Sequence, residues 1–214
     1  MGYRRTVAAA ALAALLVTSG CIGFLTGEES FAFESEPVAV TDAALEETEY
    51  EEQRREETVQ NRTFTVAGQE REVRVTNHLA EYARSTDTPL GDQQVARFTV
   101  FSTPEVKIAG QGPFNPVGEL SDRELALRLQ KQYDAIENVS FESNRTVTTL
   151  GNETQVSKFR ADATLAGGQD VEVFLHVTKF RHEGDYVIAV AIHPTRADEE
   201  ANVDRLIEGI DHPA

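Results

Sequence analysis

Tryptophan is absent from this chain, and cysteine and methionine occur once each. A single cysteine excludes an intrachain disulfide and a cysteine-built zinc centre. Basic residues are also scarce. Lys and Arg number 20 against 36 Asp and Glu, a net charge of −16, and the only lysines are Lys107, Lys131, Lys158 and Lys179. Such a surface repels phosphate backbones, which excludes a nucleic-acid-binding function. Long apolar runs are missing as well. The longest, Val7 to Val17, has eleven residues, whereas a helix needs about 20 to cross a hydrocarbon core. Neither a G-x-S-x-G elbow nor an H-E-x-x-H pair occurs.

What is present begins with Arg4 to Cys21, RRTVAAAALAALLVTSGC. Paired arginines, a short apolar run and small residues before a cleavage point make a secretory signal of the twin-arginine type. Ser19 and Gly20 ahead of Cys21 read as a lipobox, with Thr18 where an aliphatic residue is usual. The alternative is an ordinary cleavage site beside a free thiol. The lipobox reading gives a signal peptide over 1–20, a lipidated tether over 21–37 and one domain over 38–214. It expects membrane lipid to hold Cys21 at the extracytoplasmic face of the cytoplasmic membrane. Cleavage would leave 18 basic against 36 acidic side chains, or −18. Charges of one sign strain a compact state, and molar salt, with a Debye length of about 3 Å, relieves that strain. The composition therefore suits a salt-loving organism.

Along the chain, Thr41 caps a short helix, and Glu46 to Glu57 reads as a solvated charge run. Thr58–Val66 and Glu70–Tyr82 read as strands joined by a hairpin loop at Ala67-Gly68-Gln69. Val73, Val75 and Leu79 supply the apolar face. Gln94–Thr103 is a further strand, closed by Pro104. Gly110 to Gly118 is irregular. A helix then opens with a Ser121/Glu124 capping box and a Leu120/Leu125 staple, with Leu125, Leu129 and Ile136 along one face.

Ser157–Leu165, Val171–Phe180 and Tyr186–His193 read as three antiparallel strands. A three-residue loop at Gly167-Gly168-Gln169 would set Ala163 against Val173 and Phe159 against Val177. A turn at Glu183-Gly184 would set Leu175 against Ile192 and Val177 against Val190. Both choices make one face apolar, which is what fixes register. Gly151-Asn152 reads as another two-residue turn. Val203, Leu206, Ile207 and Ile210 form a helical stripe. The expected fold is α+β, a mainly antiparallel sheet with helices packed on it. A PsbP-like sandwich is the analogy, and it carries no function.

The runs FSTPEVKIAGQGPFNPVGELSDRELA and TTLGNETQVSKFRADATLAGGQDVEVFLHVTKF, with the signal ending SGC, resemble a haloarchaeal lipoprotein family known as domain of unknown function 6517. The resemblance covers nearly all of the chain after the signal. It implies a membrane-anchored surface domain of a halophile and brings no catalytic or binding residues.

Candidate sites are few. In the register above, His176 and His193 become diagonal neighbours on one face, close enough for a metal to bridge. A zinc site wants at least three protein ligands, and no third is fixed nearby, so the expectation is no metal and partly buried, hydrogen-bonded histidines. Asn61, Asn138, Asn144 and Asn152 head N-x-S/T sequons and are candidate glycan sites. Gln111, Phe114 and Asn115 lie in the irregular loop. Pro113 and Pro116 stiffen it, and it reads either as a binding surface or as a plug of the core. No cofactor is expected. The expected function is a surface binding or scaffold domain with an unknown protein or cell-surface partner. The alternative is a surface enzyme with a dispersed site.

Overall fold

The computed structural model of the protein describes residues 31–66, 69–86, 93–107, 115–132, 136–164 and 168–213. The signal stretch, Cys21, Gln111 and Phe114 lie outside them. Ten strands occur in the order β1 (Phe31–Glu34), β2 (Ala39–Val40), β3 (Glu51–Val66), β4 (Gln69–Thr86), β5 (Gln93–Pro104), β6 (Ile136–Thr149), β7 (Asn152–Thr164), β8 (Asp170–His182), β9 (Asp185–Pro194) and β10 (Ile210–Asp211). Among the described residues three short helices interrupt them: α1 (Asp42–Thr48), α2 (Asp122–Gln132) and α3 (Glu200–Glu208). The main sheet runs β1-β4-β5-β9-β8-β7-β6, with β3 also paired to β4, and β2 pairs with β10. It is mainly antiparallel, mixed with one parallel pair. Among the described residues, those within 31–32 and 61–74 group as one compact unit, and those within 33–60 and 75–213 as another. Everything below concerns the second unit unless stated.

Strand alternation gives this sheet two apolar faces. On β9, Val187, Ala189 and Ala191 join a cluster with α3 residues Val203, Leu206 and Ile207. Ile188, with Tyr186, Val190 and Ile192 beside it, joins Leu125 and Ala126 of α2 on the other face. Each fully buried Val, Leu or Ile contributes roughly 1.5–3 kcal/mol. A one-residue slip would exchange the two faces against unlike helices, so register is strongly specified.

The β8–β9 register is the expected one, with Leu175 opposite Ile192 and Val177 opposite Val190. The turn Glu183-Gly184 has φ of 49° and 96°, the positive pair a tight hairpin needs. The β7–β8 register differs from expectation by two residues, because Ala163 faces Val171 and Phe159 faces Leu175. A shift of two keeps every side chain on its face, so the apolar criterion could not tell the two apart. The β6–β7 turn sits at Leu150-Gly151 rather than Gly151-Asn152. Thr149 pairs with Asn152, and the positive φ values of 48° and 76° fall on Leu150 and Gly151.

Other boundaries also moved. Ile136 opens β6 and does not extend α2, and the Leu129 side chain lies outside the described part. β6 is mostly exposed and polar, so no alternation announced it. β3 begins at Glu51, inside the stretch read as a solvated charge run. Its side chains are solvated, but Arg54 reaches Glu81 on β4 at 3.2 Å. β4 presents Ala80 and Tyr82 to the core, while Val75 and Leu79 are half-buried. Phe31–Glu34 forms β1 within the stretch read as tether, and Ser35 behind it is buried. The capping box formed as expected. Ser121 N donates to Glu124 Oε2 at 2.8 Å, and Glu124 N donates to Ser121 Oγ at 3.3 Å.

Candidate functional site

The β8–β9 pairing sets His176 opposite Ala191 and His193 opposite Phe174, on the face that α3 covers. The two rings stack with centroids 5.1 Å apart at 16°, and both residues are buried. Their protons can be assigned in sequence. Arginine only donates, so His176 Nδ1 accepts from Arg145 Nη1 at 2.9 Å. His176 Nε2 then carries a proton and donates to His193 Nε2 at 2.9 Å. His193 Nδ1 in turn donates to Pro194 O at 3.0 Å. Both rings are neutral and every ring nitrogen is engaged, so neither offers a lone pair to a metal.

Charged groups brought in by α3 surround the pair. Arg145 Nε donates to Asp204 Oδ1 at 2.6 Å, and Lys158 Nζ to Glu200 Oε2 at 2.7 Å. Burial, then the Arg145 charge, pushes the His176 pKa down to about 2. Burial also lowers that of His193. Glu199, at the start of α3, is 1% exposed. It accepts from Tyr50 Oη at 3.2 Å, from Asn202 Nδ2 at 3.1 Å and from Arg84. Burial and the Glu199 charge raise the Tyr50 pKa, so the phenol keeps its proton. These side chains form polar networks that run from the buried His176, His193 and Glu199 to the partly exposed Asp204 and Glu200.

A second constellation lies where residues 35–36 cross the sheet. Ser35 Oγ donates to Ser102 O at 3.1 Å, and Ser102 Oγ to Glu36 O at 2.6 Å. Glu36 N donates to Asp185 Oδ2 at 2.7 Å. Asp185 Oδ2 also lies 3.2 Å from His212 Nε2, and His212 Nδ1 meets His182 Nδ1 at 2.9 Å. At the other end Ser35 Oγ contacts His78 Nδ1 at 3.3 Å. Beside His78 stand Glu34 and Glu57, and one ligand-capable atom from each of the three lies within 4.8 Å of the others. Sequence reasoning missed this group. Its members come from β1, β3 and β4, two of them inside stretches read as tether and solvated charge.

The irregular loop is anchored at its described end. Asn115 is buried; its Nδ2 donates to Pro104 O at 2.7 Å, and its Oδ1 accepts from Val117 N at 2.8 Å. Lys179 Nζ donates to the carbonyls of Val117, Gly118 and Leu120. A Cβ on Gly118 would come within 2.5 Å of the Tyr186 ring, so the backbone there rests directly on the aromatic face. Asn115 thus holds the loop to the sheet. The four sequon asparagines are all exposed, Asn61 belonging to the other compact unit. Asn138 Nδ2 donates to Asp162 at 2.8 Å and Asn152 Nδ2 to Leu150 O at 3.1 Å. Asp42, Glu46, Glu49 and Glu51 line an open concavity around Leu45 and Tyr50. Among the described residues, no helix is long and apolar enough to cross a membrane.

The fold is thus a mainly antiparallel sheet covered by short helices, with its buried polar groups largely matched among themselves. A family described as Domain of unknown function (DUF6517) matches residues 37–211, and the chain belongs to it. No curated protein matches the chain.

Proposed function

We propose that this protein is an extracytoplasmic lipoprotein of a halophilic archaeon that serves as a binding or scaffold domain at the cell surface. The carrying observation is the Arg4–Cys21 stretch, placed shortly before a family domain that starts at residue 37. Cys21 would take the lipid and 22–30 would span from the membrane. The acidic composition supports a high-salt setting, since a net charge of −16 is tolerable where the Debye length is about 3 Å. The internal matching of the His176–His193 and Glu199 groups favours binding over catalysis. Each is buried against its own partners, and none positions a nucleophile beside a base. A PsbP-like sandwich is the architectural analogy, and it adds no activity.

The test is fractionation of cells expressing the parent and Cys21→Ser. The parent is expected in the membrane fraction after a high-salt wash, and the variant in the soluble exported fraction. Equal release of both would overturn the anchor.

A further inference from the structure

We propose that Glu34, Glu57 and His78 form a binding site for a divalent transition cation of the zinc class. His78 on β4 pairs with Ser102 of β5, and β4 also pairs with β1 and β3, which carry Glu34 and Glu57. One ligand-capable atom from each residue falls within 4.8 Å of the other two. A tetrahedral ion with bonds of about 2.0–2.2 Å holds its ligand atoms about 3.4 Å apart, so the two exposed carboxylates close on it by small side-chain rotations.

The imidazole is turned for this role by its buried neighbours. Ser102 gives its hydroxyl proton to Glu36 O at 2.6 Å, and Ser35 Oγ has the carbonyls of Ser102 at 3.1 Å and Thr76 at 3.5 Å to receive its own. Neither serine then has a proton left for His78, so the 3.3 Å contact is made by His78 Nδ1–H donating to Ser35 Oγ. This leaves the lone pair on Nε2, and no described residue hydrogen-bonds that atom. Metal-binding histidines are fixed in this way, one nitrogen donating to an outer partner and the other facing the ion. Ser35 and Ser102 are 1% and 0% exposed, so the anchor is rigid. The carboxylates are exposed and His78 is half-buried, which gives an ion an entry path and room for water in its remaining positions.

One nitrogen with two carboxylates selects among cations. Imidazole suits zinc, copper, iron and nickel; an all-oxygen shell suits magnesium and calcium. Zinc should therefore bind through His78, while magnesium should bind weakly and without regard to it.

The experiment is calorimetric titration of the EDTA-stripped full-length chain with ZnCl2, then MgCl2, in molar NaCl. One zinc per chain is expected. His78→Ala should weaken zinc at least about tenfold, and Ser35→Ala by about 10- to 100-fold through loss of orientation. Neither should alter the magnesium signal. Glu34→Gln with Glu57→Gln removes two exposed carboxylates without disturbing the core, and keeps the test open if His78→Ala folds poorly. It too should weaken zinc at least about tenfold. No heat with zinc would overturn the proposal. So would parental zinc affinity in His78→Ala or in the double glutamine variant.

Discussion

Two histidine settings on one sheet answer the same question in opposite ways. At His176 and His193, counting protons from Arg145 to Pro194 O leaves no nitrogen free. At His78, counting protons from Glu36 O back through Ser102 and Ser35 leaves Nε2 with its lone pair. Burial separates them further, since His176 is 1% exposed while His78 is half-buried between carboxylates. A pair of close histidines is therefore less informative about metals than the donors and acceptors behind each ring.

The largest effect that would sharpen this contrast is expected at the buried pair. His176→Ala opens a cavity and removes the acceptor of Arg145 and the donor to His193. It should cost about 3 kcal/mol, read as a lowered urea midpoint. A loss below about 1 kcal/mol would mean that the pair does not help to hold the core together.

The next effect concerns pH. Both rings of the pair have pKa values below the unfolded value of about 6.5. Their contribution to stability is fully present above that value and is lost as pH falls, because the unfolded chain then binds protons that the folded pair refuses. For His176 the window runs from about 6.5 down to about 2. The slope is at most about 1.4 kcal/mol per pH unit for each ring. Urea midpoints at about pH 7.5 and about pH 5.5 should separate more in the parent than in His176→Gln. Equal separations would break the assignment of neutral rings.

The smallest effect is expected at His78. Without metal, His78→Ala should change stability by less than about 0.5 kcal/mol, since the ring is half-buried and its partner Ser35 keeps its bonds to Ser102. A shift in the melting curve like that of His176→Ala would make His78 a structural residue.

The buried pair was legible because β8 and β9 alternate cleanly, so the apolar face dictated their register and brought His176 and His193 together. The groups around the pair were not. Arg145 lies on a polar edge strand without periodicity, and Asp204 and Glu200 arrive only when α3 folds back. The β7–β8 error of two residues has the same root. A period of two is blind to a shift of two, and Thr164 pairs with Asp170 across a five-residue connection in place of the expected three-residue loop. Glu34, Glu57 and His78 were invisible for a different reason. Their proximity comes from pairing among β1, β3 and β4, and the first two strands have polar, exposed faces that read as tether and solvated charge.

β6 ends the strand order of the main sheet, with β7 on its paired side. Such an edge is a template on which a second chain could extend the sheet and start a fibril. Here the register slips twice, between Glu137 and Ser140 and between Phe141 and Ser143, and Asn138 takes a φ of 55°. Those kinks break the row of backbone groups that an incoming strand would need. Glu137 and Asn144 are exposed beside them, Glu142 pairs with Arg160 at 3.2 Å, and a sugar on Asn138 or Asn144 would stand over the same edge. The sheet is thereby insulated against growth along this edge.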